Sequence, residues 1–254
     1  MHRLSLVINS HETSEDVWEA FFGELIKYEW TKAFASVYLF SSRPPIKPIP
    51  FYYQSGVELI VYNKELPYSL QYLSCIKKVP EEYVVIVNED CIPFGPILFN
   101  EVNRILDLMV SAQLDVDFVK CVRGTESVIA TSFDNVYYIN QESDMIFTQQ
   151  VSIWKTRSLL NVYAHSPVSF IARKGGIQQE QVATQVCREL GIKGALYYQG
   201  ERKRGMYHYD SEIFPHICTA IVGGKWNVAE YSSEVLELSK TYNIDLASRG
   251  FYEG

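Results

Sequence analysis

Long apolar runs are missing from this chain of 254 residues. No stretch reaches the 18 or so apolar residues that a membrane-spanning helix needs, and the apolar run in MHRLSLVINS is far too short for a signal peptide. The expectation is a soluble, cytoplasmic protein, with at most peripheral contact at the inner membrane face. Paired cysteines are missing too. The five cysteines, Cys75, Cys91, Cys121, Cys187 and Cys218, are odd in number, widely spaced and without a CxxC, which points to neither a disulfide framework nor a zinc knuckle. A reducing compartment is the simplest setting. Basic residues are in deficit, 23 against 30 acidic, and the net charge of −7 argues against nucleic-acid binding, which needs concentrated Lys and Arg. Repeats, low-complexity runs and obvious linkers are also absent, so residues 1–254 read as one domain.

What is present is an ordinary globular composition, 47% hydrophobic and 21% charged, with 18 Tyr, 13 Phe and 4 Trp. Such rings fill cores, and they also offer apolar faces to sugars. The most informative stretch is VVIVNEDCIPFGP, residues 84–96. An unbroken β-branched run that stops at polar residues is the pattern of a strand covered on both faces. Asn88, Glu89 and Asp90 then fall at its carboxyl end, where open α/β sheets place their ligands. Pro96 is suited to be the first residue of a following helix. The acidic turn reads as a metal site of a sugar-nucleotide enzyme, against the plain alternative of a solvated turn.

The rest of the chain fits that reading. Strands are expected at 4–8, 34–40, 57–61 and 116–122, with helices from a Thr13-Ser14 cap, over 67–77, and from Pro96 through the stripe Leu98, Val102, Ile105, Leu106 and Met109. Strand alternating with helix implies a parallel sheet with right-handed crossovers. Four prolines make 43–50 a stiff connection. Beyond about residue 125 the pattern changes to mixed, partly antiparallel strands over 128–139 and 145–154, a helix over 155–163, a turn at Lys174-Gly175-Gly176, and a helix over 177–190. Strands at 207–209 and 216–222, a Gly223-Gly224 turn and a helix over 232–242 complete the expectation. The first half, about 1–125, reads as nucleotide-binding, and about 126–254 as the more variable half.

Several segments together resemble the GT-A-fold glycosyltransferase-like proteins of bacterial and viral surface polysaccharide synthesis. These are VINSHETSEDVWEAFFGELIKY, LPYSLQYLSCIKKVPEEYVVIVNEDCIPFGP, VSIWKTRSLL and IFPHICTAIVGGKWN, in that order and spacing. Tyr68 stands where that family usually has tryptophan, and Glu89 where aspartate is common. The segment 167–171 only loosely follows its acidic aromatic motif. The resemblance implies a GT-A-like, Rossmann-like α/β fold, a mixed and mainly parallel sheet flanked by helices, with a smaller antiparallel acceptor-side part. It implies a sugar moved from a nucleotide-diphosphate donor to a glycan or lipid-linked acceptor with Mn2+ or Mg2+. Asp90 would contact the metal, with Glu89 on the ribose or on metal-bound water, and His208 a further ligand.

By the same resemblance, Asn9, Ser10, His11 and Glu12 would hold base and ribose, and Asn63 and Ser69 would complete that pocket; a capped turn accounts for all six equally well. Lys225, Trp226 and Asn227, with Trp154 and Lys155, match family segments and would meet phosphates or acceptor, or simply fill the core. Arg202, Lys203 and Arg204 form either a diphosphate clamp or a solvated loop. An inverting transferase needs a base for the acceptor hydroxyl, and Glu180, in the first turn of its helix, is the candidate; helix-dipole complementarity explains it as well. Two other functions stay open: a degenerate scaffold that binds glycan or nucleotide, and a sugar-phosphate nucleotidyltransferase. Against the latter, the turn after the first strand has no glycine-rich basic loop.

Overall fold

The computed structural model describes residues 4–166 and 176–254, so the turn expected at Lys174-Gly175 and the 167–171 segment lie outside the described residues. The chain begins with β1 (Leu4–Asn9), α1 (Glu15–Lys27), β2 (Ser36–Ser41), α2 (Pro50–Gln54), β3 (Glu58–Val61), α3 (Tyr68–Ile76) and β4 (Tyr83–Asn88). It continues through α4 (Phe99–Val110), β5 (Phe118–Lys120), β6 (Val128–Ala130), β7 (Val136–Ile139), β8 (Ser152–Lys155), α5 (Thr156–His165), α6 (Gly176–Glu189) and β9 (Gly194–Tyr197). Last come β10 (Ile221–Val222), β11 (Lys225–Asn227), α7 (Val228–Tyr242) and β12 (Phe251–Tyr252).

Nine strands form one sheet in the order β3-β2-β1-β4-β8-β5-β9-β7-β6. The first four are mutually parallel, joined through the expected helical crossovers. β8 then enters antiparallel between β4 and β5, so strands from the two halves of the chain interleave. β4 shows why its sequence is apolar throughout. Val85 and Val87 face a core shared with α1, α4 and α7, whereas Val84 and Ile86 face a second core shared with α3, α5 and α6. Each face is covered by helices, and the polar residues begin where the covering ends.

Several expectations needed correction. Pro96 does not start a helix. Residues 94–98 are kept out of the helix because Phe94 N–H donates to the Pro215 carbonyl (2.8 Å) and Leu98 N–H to the Ile213 carbonyl (3.1 Å), so α4 begins at Phe99. The strand expected over 216–222 is a single bridge, His216 with Pro93, followed by the short β10; that over 207–209 is one bridge between Tyr209 and Lys203. β10 pairs with β11 across Gly223-Gly224, both at positive φ, and β12 adds to β11 in a separate small sheet. The last helix starts early, at Val228, because Asn227 caps it by accepting from Glu230 N–H. Ser14 makes no cap bond to α1; His11 Nδ1 instead accepts from Thr13 N–H and caps the 3-10 turn Glu12–Ser14 that precedes it.

Candidate active site

The acidic turn lies where the sequence places it, at the carboxyl ends of adjacent parallel strands. β1 ends at Asn9 and β4 at Asn88, in register, and Glu89 N–H donates to the Asn9 carbonyl (3.1 Å). Asn9 Nδ2 donates to Asn88 Oδ1 (3.3 Å) and to the Tyr68 hydroxyl (3.2 Å). That hydroxyl also accepts from Gln149 Nε2 (2.8 Å), and the Gln149 backbone N–H donates to Glu180 Oε1 (2.8 Å). A continuous polar chain therefore runs Asn88, Asn9, Tyr68, Gln149, Glu180, from the strand end beside the acidic turn to the first half of α6.

The two carboxylates are half-buried and poorly compensated. Burial raises the pKa of Glu89, against which the Ser14 hydroxyl and the His11 backbone N–H work by hydrogen bonding to it. Burial also raises that of Asp90, and the neighbouring Glu89 charge raises it further. Arg249, near the end of the chain, contributes a positive field to both, while its guanidinium is bound to the carboxylate of Asp16, 233 positions away. Two crowded carboxylates whose repulsion is only partly offset by Arg249 suit a hard divalent cation, which takes one or two protein carboxylates and completes its shell with water and phosphate oxygens. Among the described residues no group of three or more His, Cys, Asp and Glu side chains is placed to hold a metal.

His208 is near this turn without joining it. Asp90 C=O accepts from Ala220 N–H (2.8 Å), and the preceding Thr219 has its hydroxyl 3.4 Å from His208 Nε2. The other ring nitrogen, Nδ1, lies 2.5 Å from Glu230 Oε2. A carboxylate that fixes one imidazole nitrogen sets the direction of the other, here towards the Thr219 hydroxyl, the kind of support that orients ligating or proton-accepting histidines. Glu180 is half-buried, and burial raises its pKa; the Gln149 N–H bond and the charges of Lys120 and His208 act in the opposite direction. Lys120, at the end of β5, is itself buried against Glu126 at 3.0 Å.

The remaining sequence candidates divide. Glu12 accepts from the Ser42 hydroxyl (2.6 Å) and pairs with Lys64 and Arg43, while His11 is an exposed cap. Ser10 is buried and accepts from Trp18 Nε1 (2.7 Å), so its hydroxyl anchors α1. Asn63 is exposed and its Oδ1 accepts from Glu65 N–H, a turn role; Ser69 is 1% exposed, with no hydrogen-bond partner among the described residues. Arg202 is exposed on a loop, and Lys225 is exposed at the start of β11.

Five further candidates are engaged in packing or internal bonds. Trp154 is fully buried and stacked on Phe118 with ring centroids 4.2 Å apart, and Lys155 pairs with Tyr83 at the amino end of β4, the opposite end from Asp90. Trp226 is also fully buried, and Asn227 is the α7 cap, so neither is exposed to an acceptor. Arg204 is bound to Asp210 (2.7 Å) and Glu234 (2.6 Å), which takes it out of a mobile phosphate clamp. Conversely, Tyr68, Gln149, Ser14, Glu230 and Arg249 were not picked out as site residues. Only Tyr68 carried a signal, as the departure from the family's usual tryptophan.

No family model and no curated protein matches the chain. Solved structures do. Residues 1–349 of TarS from S. aureus superpose with a TM-score of 0.52 at 11% identity, over 96% of this chain and 66% of that one. The same TarS fragment in complex with UDP-GlcNAc gives 0.51 at 13% identity, over 99% and 68%. A CMP:2-keto-3-deoxy-manno-octonic acid synthetase complexed with CTP gives 0.50 at 11% identity, over 77% and 89%. The chain spans about two thirds of the TarS fragment and 36% of a longer TarS chain. Identities this low show the fold alone: a Rossmann-like, GT-A-like α/β sheet of the kind these structures share. Within that class, TarS is a similar structure that covers nearly the whole of this chain. Among the described residues no helix is long and apolar enough to cross a membrane.

Proposed function

We propose that the protein is a metal-dependent glycosyltransferase that uses a nucleotide-diphosphate sugar. The observation that carries this reading is the Glu89-Asp90 pair at the carboxyl end of a central parallel strand, in register with Asn9 and linked through Tyr68 and Gln149 to Glu180. A Mg2+ or Mn2+ ion held by that pair would neutralise the diphosphate as it leaves. Asn9 and Asn88 present amides at the strand ends to orient the donor, and Arg249 adds a positive charge on the same side. Glu180, raised by burial, is suited to take the proton from an acceptor hydroxyl, since a base works best with a pKa near the working pH. The acceptor is a glycan or a lipid-linked sugar, and the setting is cytoplasmic, with peripheral contact at the inner membrane face.

The TarS fold match, with UDP-GlcNAc bound in one TarS structure, supports the glycosyl reading. The CTP-bound synthetase supports nucleotidyl transfer as the second reading, but the turn Asn9-Ser10-His11-Glu12 offers no glycine-rich basic loop to cradle a triphosphate. The test is a thermal-shift screen of nucleoside diphosphates, triphosphates and nucleotide sugars with and without Mn2+. A ligand at about 100 times its Kd adds about 2.7 kcal/mol, roughly 5–10 °C in a chain of this size. Metal-dependent stabilisation by one nucleotide sugar, lost in Asp90→Ala, is expected. Stabilisation by a triphosphate alone would favour nucleotidyl transfer, and nucleotide binding without turnover across an acceptor panel would favour a scaffold.

A further inference from the structure

A polar cavity of about 180 Å3 lies away from the acidic turn. It sits at the far end of the short ladder that begins with Asp90 and Ala220 and runs to Phe94 and Pro215. Phe94, Arg204, Asp210, His216, Tyr231 and Glu234 form its walls. That is room for several ordered waters, or for one small polar molecule in their place.

His216 sets the chemistry. It is 5% exposed, and its Nδ1 lies 2.5 Å from the Phe214 carbonyl oxygen. A carbonyl only accepts, so Nδ1 carries the proton and Nε2 presents a lone pair. Nε2 is buried and has no partner among the described residues. Burial keeps the ring neutral near pH 7 by pushing its pKa down to about 4. The orphaned group is therefore a neutral acceptor, and leaving it unmet costs the protein free energy that a ligand donor recovers.

Three wall carboxylates, Asp210, Glu212 and Glu234, stand against a single guanidinium, that of Arg204. Arg204 binds Asp210 at 2.7 Å and Glu234 at 2.6 Å, and its guanidinium lies 5.2 Å from the Tyr231 ring centroid. What remains for a ligand is spare carboxylate and imidazole acceptor capacity beside the half-buried ring of Phe94. A ligand rich in O–H donors, with an apolar C–H face, meets both demands.

We propose that this cavity is a carbohydrate-binding site for a single neutral sugar ring, separate from the acidic turn. The inference stands on the cavity alone and does not depend on the transfer reaction proposed above. Its test uses the full chain without metal or nucleotide. Saturation-transfer NMR and titration against neutral monosaccharides, with small primary amines as the competing class, report what binds. At least one neutral monosaccharide is expected to bind and to shift the His216 ring resonances. His216→Phe, which removes the acceptor and fills the space, should weaken that binding at least about tenfold. Phe94→Ala, which removes an aromatic wall at a half-buried position, provides an independent variant should His216→Phe fail to fold. Asp90→Ala should leave the sugar bound as in the parent. Absence of monosaccharide binding, binding of amines in its place, binding unaffected by the two cavity variants, or loss in Asp90→Ala would each overturn the assignment.

Discussion

Tyr68→Phe isolates the hydroxyl that joins the two sides of the candidate active site. The substitution keeps the ring, which lies 5.3 Å from Tyr72, and deletes only an oxygen that accepts from Asn9 Nδ2 and Gln149 Nε2. Asn9 retains its bond to Asn88, so its loss is partial. The Gln149 amide loses that acceptor in a half-buried position. One hydrogen bond lost and one donor left unmet amount to about 2 kcal/mol, or roughly 4–8 °C in thermal midpoint for a chain of this length. Gln149→Leu should cost a similar amount, because the same bond is broken from the other side. The double variant should then cost about 1 kcal/mol less than the sum, the coupling expected of two residues in one network. Denaturant unfolding of the four proteins measures all three values. If Tyr68→Phe leaves stability unchanged, or if the two single effects simply add, the polar chain does not hold the site together and the link from Asn9 to Glu180 is refuted.

Trp154→Ala should cost about 3–5 kcal/mol, as loss of a fully buried aromatic does, while nucleotide-dependent stabilisation persists; a selective loss of ligand response in a folded variant would contradict its placement in the core. Glu180→Gln should lower turnover by about 10²–10⁴ with nucleotide binding unchanged, measured by single-turnover kinetics and titration; equal loss in both would show a structural role. His216 is held at about 4 against an ordinary 6.5, so the folded state binds its proton less readily than the unfolded chain. Its contribution is intact above about 6.5 and is lost as pH falls towards 4, by roughly 3 kcal/mol. Chemical denaturation against pH should show that acid limb flattened in His216→Phe, and an unchanged limb would mean that another group causes it.

Much of the architecture was legible in the sequence because its first half uses local signals. A parallel strand covered on both faces must be apolar throughout, and Val84 to Val87 announced it; the polar break at Asn88 then placed the ligand end without reference to any other part of the chain. Helices α1 and α3 were equally visible from their spacing. β9 and β12 were missed because strands of four and two residues carry too little pattern, and their place is decided by partners distant in sequence. Pro96 shows the same limit. Its local chemistry favours a helix start, but hydrogen bonds to 213 and 215 keep the segment out of the helix until Phe99.

The site divides along the same line. By itself the sequence determined that two acids follow a buried strand, that Asn9 ends another, and that Glu180 lies early in a helix, because each follows from residue type and local periodicity. Only the tertiary structure decided which polar groups meet. Trp154 and Trp226 were ambiguous because one residue type serves a core or a ligand face equally well, and burial, a property of the whole fold, settled them. Arg249 reaches Asp16 across 233 positions and Tyr68 meets Gln149 across 81, contacts that no local pattern records. The physical reason is that hydrogen bonding and electrostatics act through space over a few ångströms, whereas the sequence orders residues only along the chain.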